Sequence, residues 1–368
     1  MNRILVIQPA LPRYRLDFFQ RLSDRLGETF AVYYSPTDLG VLTEPERTFP
    51  WAKRLAPIRP LFRGAEWQPD VLGIPLQRGD TVVVSGSPRN LSNMLLLLKA
   101  RLVGAKTIWW GQYWSGTSRT HRFILRLLLM RLAHAILFYT DMEVEEYRSR
   151  YGKHDRRPIS ALNNGIDVQP IIKLRTPYRA ALRDQSILFL GRLTEKAEFH
   201  LLLEALTDAR LQNVRLHVIG DGPQRNKFES VAGDLEIHDR VIWHGGMTRE
   251  ADIADVANQC RVFVYPGGIG LSLIHAMAYG LPSIVHSDRW RHMPEIAAFQ
   301  DGRTGRAFQR GSTDSLASVL NDLLRDPPTL EAMSSDAIRQ TETRFNTAVM
   351  RRRFVLLLAD LGKWRDEH

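Results

Sequence analysis

The sequence predicts an α/β protein built from two Rossmann-like, doubly wound domains. Three observations carry this. Short β-branched and aromatic runs alternate with helix-length stretches, the pattern of βαβ units laid on parallel sheets. Most runs end in loops rich in Gly, Pro or Asn, and the array in the second half repeats that of the first. At 368 residues, 44% hydrophobic and 24% charged, the chain has core material for both domains and is neither disordered nor fibrous.

Arg3 to Ile7 reads as the opening strand, Gln8 to Pro12 as a loop, and Tyr14, Leu16, Phe18, Phe19 and Leu22 recur at helical spacing. That loop lies at the carboxyl end of a parallel strand, where open α/β sheets bind ligands. It lacks G-x-G-x-x-G, which argues against a dinucleotide. Further strands are expected at Phe30–Tyr34, Thr81–Ser85 and Lys106–Trp110, with a helix from Asn90 to Leu102. The stretch from Thr37 to Pro75 carries no assignable pattern. Gln112 and Tyr113, in the loop from Gly111 to Gly116, put an amide and an aromatic at a strand end, suited to a sugar or acceptor pocket or to packing beneath the loop.

From Ser118 to Ala135, Arg119, His121, Arg122, Arg126 and Arg131 are threaded through eight large apolar residues. Such a helix can lie in a membrane interface with its cations on anionic headgroups, or pack in the core with its arginines snorkelling. Ala135–Tyr139 is the next strand, and Thr140 with Glu143 opens a helix with an N-cap and an acidic first turn. Asn163-Asn164-Gly165 is a turn by its chemistry. The aperiodic stretch between Pro170 and Pro177 reads as the interdomain linker.

In the second half, strands are expected at Ile187–Leu190, Val214–Ile219, Val241–Gly245, Val262–Tyr265 and Ser283–Val285. Arg192 and Lys196 follow the first of these, four apart, and can converge on one dianionic group such as a diphosphate. Pro266-Gly267-Gly268-Ile269-Gly270 leads into a helix at Leu271, a combination of free N–H groups and dipole that suits phosphate oxygens. The tail from Asn346 to Trp364 reads as an amphipathic helix.

Charge is unevenly spread. Residues 1–180 hold 27 Lys and Arg against 15 Asp and Glu, net +12; the remaining 23 and 25 leave 181–368 at net −2, for the overall +10. An anionic partner of the first half is implied, and with no nucleic-acid module in the sequence an anionic membrane surface leads. The single cysteine, Cys260, can form no internal disulfide and reads as a small buried hydrophobe. The N-terminus has too short an apolar core for a signal peptide, and no apolar run approaches ~20 residues. The expected location is the cytoplasm.

Asn164-Gly165-Ile166-Asp167, Gly191-Arg192-Leu193 with Glu195-Lys196, Gly220-Asp221-Gly222-Pro223, Gly270-Leu271 with Ala276-Met277-Ala278 and Gly280-Leu281-Pro282, and Asp301-Gly302-Arg303-Thr304-Gly305 occur in an order and spacing that resembles the retaining GT-B glycosyltransferases of family 4. The first half resembles the family only through Tyr14-Arg15 and Phe18-Phe19. The resemblance implies two domains facing a central cleft: 1–172 binding the acceptor and 173–345 the nucleotide-sugar donor, with 346–368 a helix returning to the first domain. It implies Arg192 and Lys196 on the donor diphosphate, and Gly268, Ile269, Gly270 and Leu271 on phosphate and sugar oxygens. Gly220, His244 and His275 are expected to complete the donor site, and Tyr14, Arg15, Gln112 and Tyr113 the acceptor site.

Where the family usually carries two glutamates, one for the donor sugar and one for the ribose, this chain has Gly267 and His275. A subset of bacterial surface-polysaccharide members looks similar, with a Met-Pro-Glu downstream, matched by Met293-Pro294-Glu295. Glu295 is therefore the expected source of part of the missing carboxylate function. The implied activity is transfer of a hexosyl or N-acetylhexosaminyl unit with retention, to a lipid-linked or polysaccharide acceptor at the inner face of the plasma membrane. No metal or other cofactor is expected. A nucleotide-sugar epimerase and a non-catalytic nucleotide-sugar-binding scaffold are the alternatives.

Overall fold

The computed structural model describes residues 2–36, 48–114 and 120–366. They form two compact units, Met1–Asn163 with Thr347–His368, and Asn164–Asn346. The first unit carries β1 (Ile4–Gln8), β2 (Phe30–Tyr34), β3 (Ala52–Arg54), the small antiparallel pair β4 (Arg59–Pro60) and β5 (Glu66–Trp67), β6 (Thr81–Ser85), β7 (Lys106–Trp110), β8 (Ala135–Phe138) and β9 (Ile159–Ala161). Seven of these make one parallel sheet in the order β3-β2-β1-β6-β7-β8-β9. The order turns back on itself between β1 and β6, a Rossmann-type switch point.

Four helices connect these strands: α1 (Leu16–Leu26), α2 (Leu91–Val103), α3 (Thr120–Met130) and α4 (Asp141–Arg150). Their ends follow local chemistry. Asn90 accepts from the Asn93 N–H at the start of α2, and Gly104, at φ 78°, closes it. Thr140 and Glu143 form the reciprocal capping box of α4.

The second unit runs α5 (Gln169–Leu174), β10 (Ser186–Leu190), α6 (His200–Ala205), β11 (Arg215–Ile219), α7 (Arg225–Asp234), β12 (Val241–Gly245), α8 (Glu250–Ala257), β13 (Val262–Tyr265), α9 (Leu271–Ala278), β14 (Ser283–His286), β15 (Gly305–Phe308), α10 (Thr313–Leu324) and α11 (Pro327–Thr343). Its sheet is parallel throughout, ordered β12-β11-β10-β13-β14-β15. Every residue of β10, β13 and β14 is buried, as strands covered by helices on both faces require. The switch point falls between β10 and β13.

The last helix, α12 (Thr347–Asp366), belongs to the first unit and packs on α1. Phe354, Leu357 and Leu361 enter the core that holds Phe18, Leu22 and Trp110. The Phe354 ring stands edge-on to Phe18 at 6.1 Å and 83°. Arg353 donates to both Asp141 oxygens, at 2.6 and 2.9 Å. Both expected sheets and the returning helix are thus present.

The division of the chain lies at 163/164, ahead of the expected 172/173. Asn163 Oδ1 accepts from the Asp141 N–H in the first unit. Beyond it, Ile166 bridges Asn346, and Val168 and Ile171 are buried in the second core. The Asn-Asn-Gly turn itself is therefore the crossing point, and the stretch read as linker is largely α5.

Candidate functional site

Most of the residues expected to bind the donor lie in loops at the carboxyl edge of the second sheet beside its switch point, while His244 is on β12, the outermost strand. The loop after β10 and the loop after β13 are packed backbone to backbone. Gly268 N–H donates to the Lys196 carbonyl at 3.1 Å. A Cβ on Gly267 would lie 2.1 Å from that carbonyl oxygen and 2.6 Å from the Ala197 carbonyl carbon, so only glycine allows this approach. The loop after β11 joins them: Leu193 N–H donates to the Asp221 carbonyl and Gln224 N–H to that of Leu193, both at 3.0 Å. Gly220 fits because the Gly191 carbonyl oxygen fills its Cβ position at 1.8 Å. Arg192 and Lys196 emerge from this lattice with exposed side chains.

The β13 loop feeds α9, whose first residue follows Gly270 with no side-chain cap. The Leu273 N–H turns back to the Gly270 carbonyl at 3.0 Å, and the N–H groups ahead of it have no intrahelical acceptor by geometry. Two of the expected donor contacts serve the loop itself: the Gly268 N–H goes to Lys196, and the Ile269 N–H goes to His292 Nδ1 at 3.2 Å, with the Ile269 side chain fully buried. Gly270 and Leu271 then mark the helix mouth. Glu295 lies beneath it, 5% exposed. Its Oε1 accepts from Asn164 Nδ2 at 2.8 Å, and its Oε2 is 3.7 Å from where a Gly270 Cβ would stand. Asn164 Oδ1 is buried without a hydrogen-bond partner among the described residues.

His275, farther along α9, is not a lone imidazole. Its Nε2 pairs with Glu250 Oε1 at 2.8 Å, and Tyr279 Oη donates to the same oxygen at 2.5 Å. Burial pushes the Glu250 carboxyl up, but the hydrogen bonds and charge of His275, with Tyr279, hold it below the usual range. Glu250 opens α8. A first-turn acid there reads as a partner of the helix dipole, and no local signal ties it to a residue 25 positions on, so sequence reasoning missed it.

Other histidines back the edge. His244 and His217 stack and meet at 3.0 Å, both held below the usual range by burial, His217 also by its neighbour. His286 stacks on His292 at 3.8 Å, and burial, then His292, pulls it down to about 3. Cys260 is buried, its thiol pushed up to about 12 by desolvation, the inert state expected of it.

In the first unit the four expected acceptor residues divide. Tyr14 and Gln112 are half-buried, beside the ends of β1 and β7. Arg15 is enclosed, its guanidinium 4.4 Å from the Trp110 ring and donating to Gln8 Oε1 at 3.2 Å. Tyr113 is 2% exposed, donates to Glu146 at 2.8 Å and packs among Phe123, Phe138 and Tyr147. These two are spent on holding the loops, because a planar cation and a phenol beside a strand end find aromatic partners before they find solvent.

Ser118 and Arg119 lie outside the described residues, as do Ser115 and Gly116. On α3, Ile124, Leu125 and Leu128 are exposed and Arg122 reaches solvent. Arg126 turns inward instead, where burial lowers its pKa against the pull of Glu143 and Tyr139. Among the described residues no helix is long and apolar enough to cross a membrane, and no group of three His, Cys, Asp or Glu is placed to hold a metal.

Residues 171–340 match the model of the family described as glycosyl transferases group 1. Two relatives are each 26% identical over 57% of this chain and 59% of their own length: the GDP-mannose-dependent alpha-(1-6)-phosphatidylinositol monomannoside mannosyltransferase of Mycolicibacterium smegmatis and the lipopolysaccharide core biosynthesis glycosyltransferase LpsE of Rhizobium meliloti. The chain spans about half the length of the curated relatives it matches. Anabaena HepE, crystallised in complex with UDP, superposes with a TM-score of 0.70 at 14% identity, over 98% of this chain and 100% of HepE. Residues 171–340 are thus similar to the glycosyl transferases group 1 family, and the chain has a GT-B fold.

Proposed function

We propose that the protein is a retaining glycosyltransferase that moves a sugar from a nucleoside diphosphate sugar to a lipid-linked or polysaccharide acceptor of a cell-surface glycan. The observation that supports the reading is the backbone seam between Lys196 and Gly268, which ties the loop carrying two exposed cations to the loop that opens α9. The second unit holds the donor and the first the acceptor. Arg192 grips the diphosphate through its planar fork and Lys196 as a point charge, while Gly270 and Leu271 present N–H groups.

Negative charge grows on the departing diphosphate as the bond from the anomeric carbon breaks, so fixed cations there stabilise the transition state more than the ground state. The acceptor oxygen bonds to the same face of that carbon, and its proton passes to the departing phosphate oxygen. Glu295, oriented by Asn164, accepts from a donor-sugar hydroxyl. Tyr14 and Gln112 contact the acceptor, with Arg15 and Tyr113 positioning them. One relative is named for a GDP-sugar and one neighbour was crystallised with UDP, which supports a nucleotide donor and leaves its base open.

The acceptor end is read as membrane-associated, at the inner face of the plasma membrane. On α2, Leu91, Leu95, Leu98 and Leu102 are exposed at alternating spacings of four and three, and α3 adds Ile124, Leu125 and Leu128. The end of α2 is tied to the chain just past α3 by Arg101, which donates to the Leu132 carbonyl at 3.1 Å. Leucines flanked by Arg122 and Arg131 suit an anionic lipid surface. Incubating the protein with a panel of nucleotide sugars and a membrane extract tests the whole. Retentive transfer is expected, falling about 100-fold in Arg192→Ala. Donor binding without transfer would make the protein a scaffold, and release of an isomerised sugar an epimerase.

A further inference from the structure

The cluster of Glu250, His275 and Tyr279 is more than α8 and α9 need to pack together. Tyr279 is fully buried and already joins the two helices, donating to Glu250 both at the carboxylate and at the main-chain carbonyl. His275 adds a second donor to the same Oε1, while Oε2 has no hydrogen-bond partner among the described residues, on a side chain that is 27% exposed. One oxygen is fixed by two donors, and the other is held out in a set direction. Such a carboxylate is preorganised to accept from a ligand.

Its place relative to the helix mouth says which part of a ligand. His275 is five residues beyond Gly270, about 7.5 Å along the axis at 1.5 Å per residue, roughly the step from a nucleotide's phosphates to its sugar. The phosphates themselves would be repelled by Glu250, and Glu295, next to Gly270, is assigned to the donor sugar in the reading above. A ribose offers two neighbouring hydroxyl donors, the pairing a carboxylate makes in other Rossmann-type sites. The Nε2 proton of His275 is committed to Glu250, so the imidazole orients the acceptor.

Resting on the glycosyltransferase reading, we propose that Glu250, held by His275 and Tyr279, binds the vicinal hydroxyls of the donor's ribose, with His275 as its positioning residue. Calorimetric titration with ribonucleoside diphosphates and their 2′-deoxy counterparts, for each base, tests this. Wild-type protein is expected to favour the ribo form of its own base by about tenfold, the worth of one good hydrogen bond. In Glu250→Ala that ratio falls to about one while affinity for the deoxy form is kept. In Glu250→Gln, which preserves shape and guards against a failure to fold, most of the ratio is lost, and in His275→Ala part of it. A ratio unchanged in both Glu250 variants, with thermal midpoints near wild type, overturns the proposal and leaves the enzyme reading standing. Wild-type protein that binds no nucleoside diphosphate at all overturns that reading itself.

Discussion

Restoring a side chain at Gly267 is the sharpest test of the seam on which the donor site depends. A Cβ there would stand 2.1 Å from the Lys196 carbonyl oxygen, 2.6 Å from the Ala197 carbonyl carbon and 2.7 Å from its oxygen. All three obstacles are backbone, so no rotamer change relieves them, and ordinary contact between such atoms is about 3.5 Å. The two loops must separate by about 1 Å. Overpacking of this kind costs about 1–3 kcal/mol, and losing the Gly268 to Lys196 hydrogen bond adds about 0.5–1.5 kcal/mol, so about 2–4 kcal/mol in all. For a unit of this size the midpoint falls by about 5–15 °C. Displacing Lys196 from the helix mouth by such a distance also lowers turnover by up to about 100-fold. Gly267→Ala, followed by thermal melting and by transfer from the preferred nucleotide sugar, measures both effects. Gly267→Glu is expected to be worse, although it restores the residue the family usually carries. An alanine variant that melts and turns over like wild type would refute the steric reasoning.

Phe354→Ala, which removes a fully buried ring from the contact between α12 and α1, should destabilise the first unit by about 3–5 kcal/mol; urea unfolding followed by far-UV circular dichroism, wild type against variant, reads it. Stability of the second unit should fall with acid. His286 stays neutral down to about 3 in the folded state, whereas an unfolded histidine protonates near 6.5, so between those values the unfolded chain binds a proton the native ring refuses. His217, His244 and His292 are shifted the same way. The urea midpoint should drop from pH 7 to pH 5, and less so in His286→Phe; equal drops would remove His286 from the cause. Leu95→Glu with Leu98→Glu, and separately Arg122→Glu with Arg131→Glu, should release the protein from anionic vesicles; co-sedimentation equal to wild type in both pairs counts against the lipid face.

What the sequence showed plainly is what local physics decides. β-branched and aromatic runs bounded by turn residues marked Phe30–Tyr34, Thr81–Ser85, Lys106–Trp110, Val241–Gly245 and Val262–Tyr265 at their observed limits; for the well-buried Thr81–Ser85, Lys106–Trp110 and Val262–Tyr265 the signature is continuous because such a strand packs on both faces. Thr140 announced its helix through a side chain reaching three residues ahead. Short strands escaped: β3 spans three residues, two of them exposed, and has no run to see. The inward turn of Arg15 was hidden for the opposite reason. Periodicity puts an arginine among charged neighbours on a surface, and only the fold brings Trp110 beneath it.

The carboxylates near the donor site follow the same division. Gly267 and His275 look like losses when read along the chain, since pattern reasoning asks for a glutamate at a position. The folded unit places other carboxylates close by: Glu295 near Gly270, braced by a residue 131 positions away, and Glu250 against His275. At Gly267 the backbone seam admits no Cβ at all. A glutamate there and the close approach of Lys196 to Gly268 are mutually exclusive in this geometry, so glycine at 267 and the inward placement of Glu295 belong to one solution. Replacing either alone should cost function that replacing both does not add to, the non-additivity expected of residues serving one site.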